Sequence, residues 1–136
     1  MNLRLKSIFK DLSIFCCTLF FKGTNDLGKS ESAETIYSNL QKISDFALDD
    51  DALVDAVLNI GIPDSAFLLR DSRARRKRDQ INEMLAARKH DKLHYISCPI
   101  RYEIGSKNYE TDGLHFSERG YAEFAKGLSL CVNSLL

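Results

Sequence analysis

Residues 56–63 read Ala-Val-Leu-Asn-Ile-Gly-Ile-Pro (AVLNIGIP), a short and nearly unbroken apolar run closed by a proline. Neighbouring residues of a strand face opposite ways, so apolar side chains at successive positions put hydrophobic surface on both faces. Pro63 favours extended backbone just before it and donates no hydrogen bond, which ends the pairing there. A strand covered on both faces belongs to a parallel sheet between helices, so the flanking chain should supply further strands and helices in alternation.

It does so on each side. Before it, Ala33, Ile36, Tyr37, Leu40, Ile43 and Ala47 recur at helical spacing, with Glu31 and Glu34 at the start and the acids Asp49–Asp51 at the end. Gly23-Thr24-Asn25-Asp26 predicts a turn ahead of that helix, and the apolar run Leu12–Phe21 predicts a first buried strand carrying Ile14, Phe15, Leu19, Phe20 and Phe21. Arg4, Lys6 and Lys10 ahead of this run imitate a signal peptide. No small-residue cleavage site follows, and ten apolar residues fall short of the roughly 20 a membrane span needs, so a strand and no membrane span are expected. After Pro63, residues 71–91 predict a polar helix with Ala74, Ile81, Met84, Leu85 and the stem of Arg88 inward. Leu93, Tyr95, Ile96 and Cys98 predict a third strand stopped by Pro99. A long loop runs through Gly105 and Ser106 to Asp112, and a final helix capped by Ser117 carries Tyr121, Phe124, Ala125, Leu128, Val132 and Leu135.

The chain's 136 residues suit one domain, residues 1–136, and 44% hydrophobic against 28% charged residues is a globular balance. Nineteen basic and nineteen acidic residues cancel, so no overall field draws in nucleic acid or anionic lipid. The stretch Arg70–Arg78 (RDSRARRKR) has six positive residues in nine but no interleaved aromatic for stacking on bases. It reads as a solvated helix face, and nucleic-acid binding through Arg73–Arg78 ranks last. Cys16, Cys17, Cys98 and Cys131 form no Cys-x-x-Cys pair and sit among apolar neighbours, as buried free thiols of a reducing, cytoplasmic setting do. The three histidines have no ligand spacing to them, and no metal or other cofactor is expected; His90 and His94 read as surface residues.

Sites in open α/β sheets form at the carboxyl ends of the strands. Gly23–Asp26 and Asp112-Gly113-Leu114-His115 both fall there. Asp-x-x-His across a tight turn lets the carboxylate hold one ring nitrogen as N–H and leaves the other free as a base. An asparagine amide in a turn can donate to a developing oxyanion.

Together and in this order the two segments resemble signature blocks of the SGNH hydrolases, the GDSL-type esterases and lipases. Gly23–Gly28 (GTNDLG) resembles the Gly-x-Asn-Asp block, and Asp112–Tyr121 (DGLHFSERGY) resembles the Asp-x-x-His block with its Gly-Tyr helix start. The helical stretch Ala33–Ile43 and Asn82–Leu85 (NEML) fit between them, so the resemblance runs from about residue 12 to 136. It implies a three-layer α/β/α flavodoxin-like fold with a parallel sheet and a cofactor-free esterase acting on a small acyl ester of a lipid, alcohol or sugar. It also implies roles: His115 the base, Asp112 its orienting partner, Asn25 an oxyanion donor, and Gly23 the turn that presents it.

In that family a nucleophilic serine in a Gly-Asp-Ser block and a second glycine-bearing block precede the Asn block. Only 22 residues precede Gly23, and none of them spells Gly-Asp-Ser. Ser7 and Ser13 lack the tight turn a nucleophile needs. Ser65 follows an aspartate but comes after the Asn block, and reads as a turn residue. The expectation is therefore the last two-thirds of such a hydrolase, with the N-terminal strands missing and a sheet edge open to self-association. The alternative is a catalytically inactive fragment or pseudoenzyme serving as a binding scaffold.

Overall fold

A computed structural model describes residues 14–15, 20–49 and 56–135. The chain is α/β. Strands β1 (Ile14–Phe15), β2 (Ala56–Ile60) and β3 (Leu93–Ile96) form one parallel sheet in the order β1-β2-β3. Ile14 lies opposite Ala56 and Phe15 opposite Val57; on the other side Val57 through Ile60 face Leu93 through Ile96. The helices are α1 (Phe20–Leu27), α2 (Ala33–Leu48), α3 (Ala66–Arg70), α4 (Ser72–Ala87) and α5 (Glu118–Leu135).

Alternation along β2 divides the core. Val57 packs with Leu27 of α1, Ile36 and Leu40 of α2, Ile81 and Leu85 of α4, and Leu93. Leu58 and Ile60 meet Leu128 and Val132 of α5 in a separate cluster. Helices thus cover both faces of the middle strand, as its continuous apolar character requires. Asn59 is fully buried, and its Oδ1 accepts a hydrogen bond from Ser44 Oγ of α2 at 2.9 Å.

The first strand and its turn differ from expectation. Phe20 and Phe21 belong to α1, and so does the whole Gly23–Asp26 segment. Buried Gly23 and Leu27 stand one helical turn apart and face the core, which favours helix over a turn there. A Cβ on Gly23 would come 2.7 Å from Ile62 Cδ1, so α1 lies directly on the chain leaving β2. The reversal falls at residues 28–32, where Ser32 Oγ caps α2 by accepting from Thr35 N.

Beyond β2 the chain forms α3, which hydrophobic periodicity did not single out because it is a single short turn. Buried Ser65 caps it. Asp71 Oδ1 then accepts from both Arg73 N and Ala74 N to start α4. The helix expected over 71–91 ends at Ala87, and Arg88 turns extended and pairs with Asp45. Cys98, expected in the third strand, lies past its end. Ser117 does cap α5, its Oγ accepting from Gly120 N at 3.1 Å. The buried stripe of that helix is narrower than expected, since Tyr121, Ala125 and Leu135 are exposed.

Cys98 and Cys131 are free and half-buried, and burial raises the Cys98 thiol to about 11. Leu12, Cys16, Cys17, Leu19, the basic residues Arg4, Lys6 and Lys10, Ser7, Ser13 and Asp50–Asp51 lie outside the described residues. Among the described residues, no helix is long and apolar enough to cross a membrane.

Candidate active site

The Asp112–His115 turn is built on an aromatic base. Tyr109 and Phe116 form an antiparallel bridge that pinches off residues 110–115. Glu110 N donates to His115 O at 2.8 Å and Gly113 N to Glu110 O at 2.9 Å. Tyr102, Tyr109 and Phe116 stack edge to face below, with ring centroids 4.9 and 5.0 Å apart. Gly113 occupies the left-handed region (φ 65°), and a Cβ there would meet Ala66 Cβ at 2.5 Å, so only glycine closes this turn against α3 without strain.

Both Asp112 oxygens are engaged. Oδ1 accepts from Leu114 N at 2.8 Å and His115 N at 3.0 Å, while Oδ2 lies 2.6 Å from His115 Nδ1. The hydrogen bond from the imidazole, helped by the two backbone donors, holds the Asp112 carboxyl down at about 2. An ionised carboxylate can only accept, so Nδ1 is the N–H, and Nε2 of the neutral ring carries the lone pair. Both side chains are about half exposed, which leaves that nitrogen within reach of a solute.

Asn25 is exposed in the last turn of α1, not in a loop. The two predicted segments meet a common neighbour, residues 62–67 at the carboxyl end of β2. Gly23 rests on Ile62, and Gly28 at the end of α1 lies near the Phe67 ring. From the other side, Gly113 O accepts from Ala66 N at 2.9 Å and Asp64 O accepts from Tyr109 Oη at 3.0 Å. The segments that carry Asn25 and His115 therefore both contact residues 62–67, while Asn25 itself lies on the exposed face of α1, turned away from the core-facing Gly23 and Leu27. No hydrogen bond joins Asn25 to either member of the Asp112–His115 pair.

Ser65 lies between these two segments, but it is 2% exposed and its Oγ accepts from Leu68 N at 3.3 Å. That hydroxyl caps a helix. No group of three or more His, Cys, Asp or Glu suited to a metal ion occurs among the described residues. A cavity of about 460 Å³ opens elsewhere, between the loop at Pro99, Arg101 and Glu103 and the α5 residues Glu123, Lys126 and Leu130; it includes none of Asn25, Asp112 or His115.

Three α4 residues touch this edge of the sheet without having been singled out for it. Lys77 Nζ donates to Leu27 O and Lys29 O, Arg78 pairs with Asp64 at 2.7 Å, and the Asn82 amide binds both backbone groups of Ile62. Lys77 and Arg78 lay inside a run of cations whose composition signals solvent exposure, so only tertiary structure reveals that they turn inward. Arg73, Arg75 and Arg76 are exposed, as expected for the whole run. No protein-family model and no curated protein sequence matches the chain.

Proposed function

We propose that this chain is an SGNH-type ester hydrolase domain that carries the base and an oxyanion donor of its site. In this reading the helices on the two faces of the sheet form a flavodoxin-like three-layer arrangement. His115 Nε2 takes the proton from an attacking hydroxyl or water and returns it to the leaving alcohol, while Asp112 holds the ring in the tautomer that allows it. The Asn25 amide donates to the oxyanion formed at the carbonyl; in an intact site such a donor supplies about 3–4 kcal/mol of transition-state stabilisation. The substrate class is a carboxylic ester of a lipid, alcohol or sugar. The observation that carries the reading is the Asp112 Oδ2–His115 Nδ1 contact of 2.6 Å.

A second reading, a catalytically silent scaffold, is favoured by one observation. Ser65 and Ser72 are the serines here preceded by an aspartate; Ser65, the one lying between the two predicted segments, is buried as a helix cap, and Ser72 is the first residue of α4. Base and nucleophile act as a unit, so without a serine the remaining groups support only about 10³–10⁴-fold acceleration over water.

Turnover of p-nitrophenyl butyrate and labelling by a fluorophosphonate separate the two. We expect slow turnover that drops to the buffer rate in His115→Ala and weakens in Asn25→Ala, with no labelled serine. Turnover indifferent to both substitutions sinks the esterase reading. A serine labelled stoichiometrically in the wild type and not in His115→Ala would instead dispose of the silent scaffold.

A further inference from the structure

We propose that Lys77 and Arg78, adjacent on α4, form a two-pronged clamp that sets the position of Asn25 relative to the Asp112–His115 pair, each acting as a positioning residue for one half. The proposal rests on the reading of these three residues as one site.

The first prong acts on α1. This helix has eight residues, too few to be stable by itself. Its last carbonyls have no partners within the helix and carry the negative end of its dipole. Lys77 Nζ donates to the last of them, Leu27 O, at 3.3 Å, and to Lys29 O, two residues beyond the helix, at 2.8 Å. The neighbouring cation, Lys29, is occupied with Asp26. Asn25 stands two residues before Leu27, so the ammonium that fastens this end fixes where the amide stands.

The second prong acts on the segment that holds the histidine turn. Arg78, with its side chain only 14% exposed, pairs through Nη2 with Asp64 Oδ1 at 2.7 Å. Asp64 O accepts from Tyr109 Oη, and two residues on Ala66 N donates to Gly113 O. Tyr109 and Gly113 are, respectively, at the base and inside the turn of Asp112 and His115. One helical turn further along α4, Asn82 holds Ile62 from both sides, and Ile62 is the residue on which Gly23 rests. A single helix thus grips both halves of the site and the chain between them. This use of Lys77 and Arg78 accounts for two of the six cations of the basic run without a nucleic-acid partner.

The test uses nitrogen-15 NMR and amide hydrogen exchange on the full chain, comparing Lys77→Met, Arg78→Met, the conservative Lys77→Arg, and Arg75→Met as a control with the same charge change at an exposed site. We expect Lys77→Met to speed exchange at residues 26–29 by about tenfold and to shift the Asn25 side-chain amide while leaving the His115 ring resonances in place. Arg78→Met should shift the His115 ring resonances and leave the Asn25 amide unmoved. Lys77→Arg should restore the wild-type spectrum, and Arg75→Met should match it throughout. Exchange and side-chain resonances unchanged in both methionine variants, or altered evenly over the whole chain, overturn the clamp. If the local effects appear while ester turnover proves independent of His115, the esterase reading fails and the clamp stands; the reverse pattern rejects the clamp alone.

Discussion

Asp112 shows how much of a site can be written into four residues. Its carboxylate sits at about 2 because the folded turn supplies a ring N–H and two backbone N–H donors to the charged form. The folded value is depressed below the roughly 3.9 of a free aspartate, so the stabilisation is complete above pH 4 and is lost as pH falls through about 2. Titration of the Asp112 carboxyl carbon by NMR should therefore give a midpoint near 2. In His115→Ala it should rise toward the ordinary value without reaching it, since the backbone donors to Asp112 stay. Gly120 is constrained by a different neighbour, because a Cβ there would lie 1.9 Å from Asn108 O. Backbone cannot yield as a side-chain tip can, and the start of α5 would have to move. Gly120→Ala should destabilise the protein by roughly 1–3 kcal/mol, measured by urea denaturation. The Asp-x-x-His spacing and the Ser117 cap were legible in sequence because each depends on residues within one turn of chain. The crowding at Gly120 was not, since Asn108 is brought there by the loop.

At the scale of elements, β2 and α2 share a buried polar contact that neither pattern disclosed. Asn59 interrupts an apolar strand and Ser44 falls among the core residues of a helix; each passes for an exception until the two are seen 2.9 Å apart. Removing one hydroxyl leaves a buried acceptor without its partner. Ser44→Ala should cost about 1–3 kcal/mol, and the double change Ser44→Ala with Asn59→Leu should recover much of that loss in the same denaturation assay. The elements legible from sequence were the helices with a sustained apolar period, α2, α4 and α5, and the strands β2 and β3. The Gly23–Asp26 segment was misread because glycine, asparagine and aspartate signal a turn when taken alone. Burial of Gly23 against Ile62 and of Leu27 in the core outweighed that local preference. α3 escaped notice for the opposite reason, being too short for periodicity to register.

Among the described residues, two of the three packing clusters lie on opposite faces of the sheet. Ile81 is fully buried on the side of α2 and α4, and Leu128 is 5% exposed under α5 on the other. Ile81→Ala and Leu128→Ala should each cost about 2–5 kcal/mol by leaving a cavity. With a strand between them and no shared partners, their effects in the double variant should add to within about 0.5 kcal/mol. Calorimetry or denaturant melts of the three variants check this; strong non-additivity would mean the clusters behave as one. The α/β class was readable from alternation alone, whereas the contacts of the Gly23–Asp26 and Asp112–His115 segments with residues 62–66 were not. Nor was the helix that holds those segments in place, because Lys77 and Arg78 look like their solvated neighbours until the chain is folded.

The half-buried thiol of Cys98 bears on how the molecule meets oxidants. With its proton held to about 11, roughly a thousandth of it is ionised at pH 8. The ionised sulfur is the nucleophile that attacks peroxides and disulfides, so the burial that raises this thiol beside Ile100 slows its oxidation relative to a free cysteine.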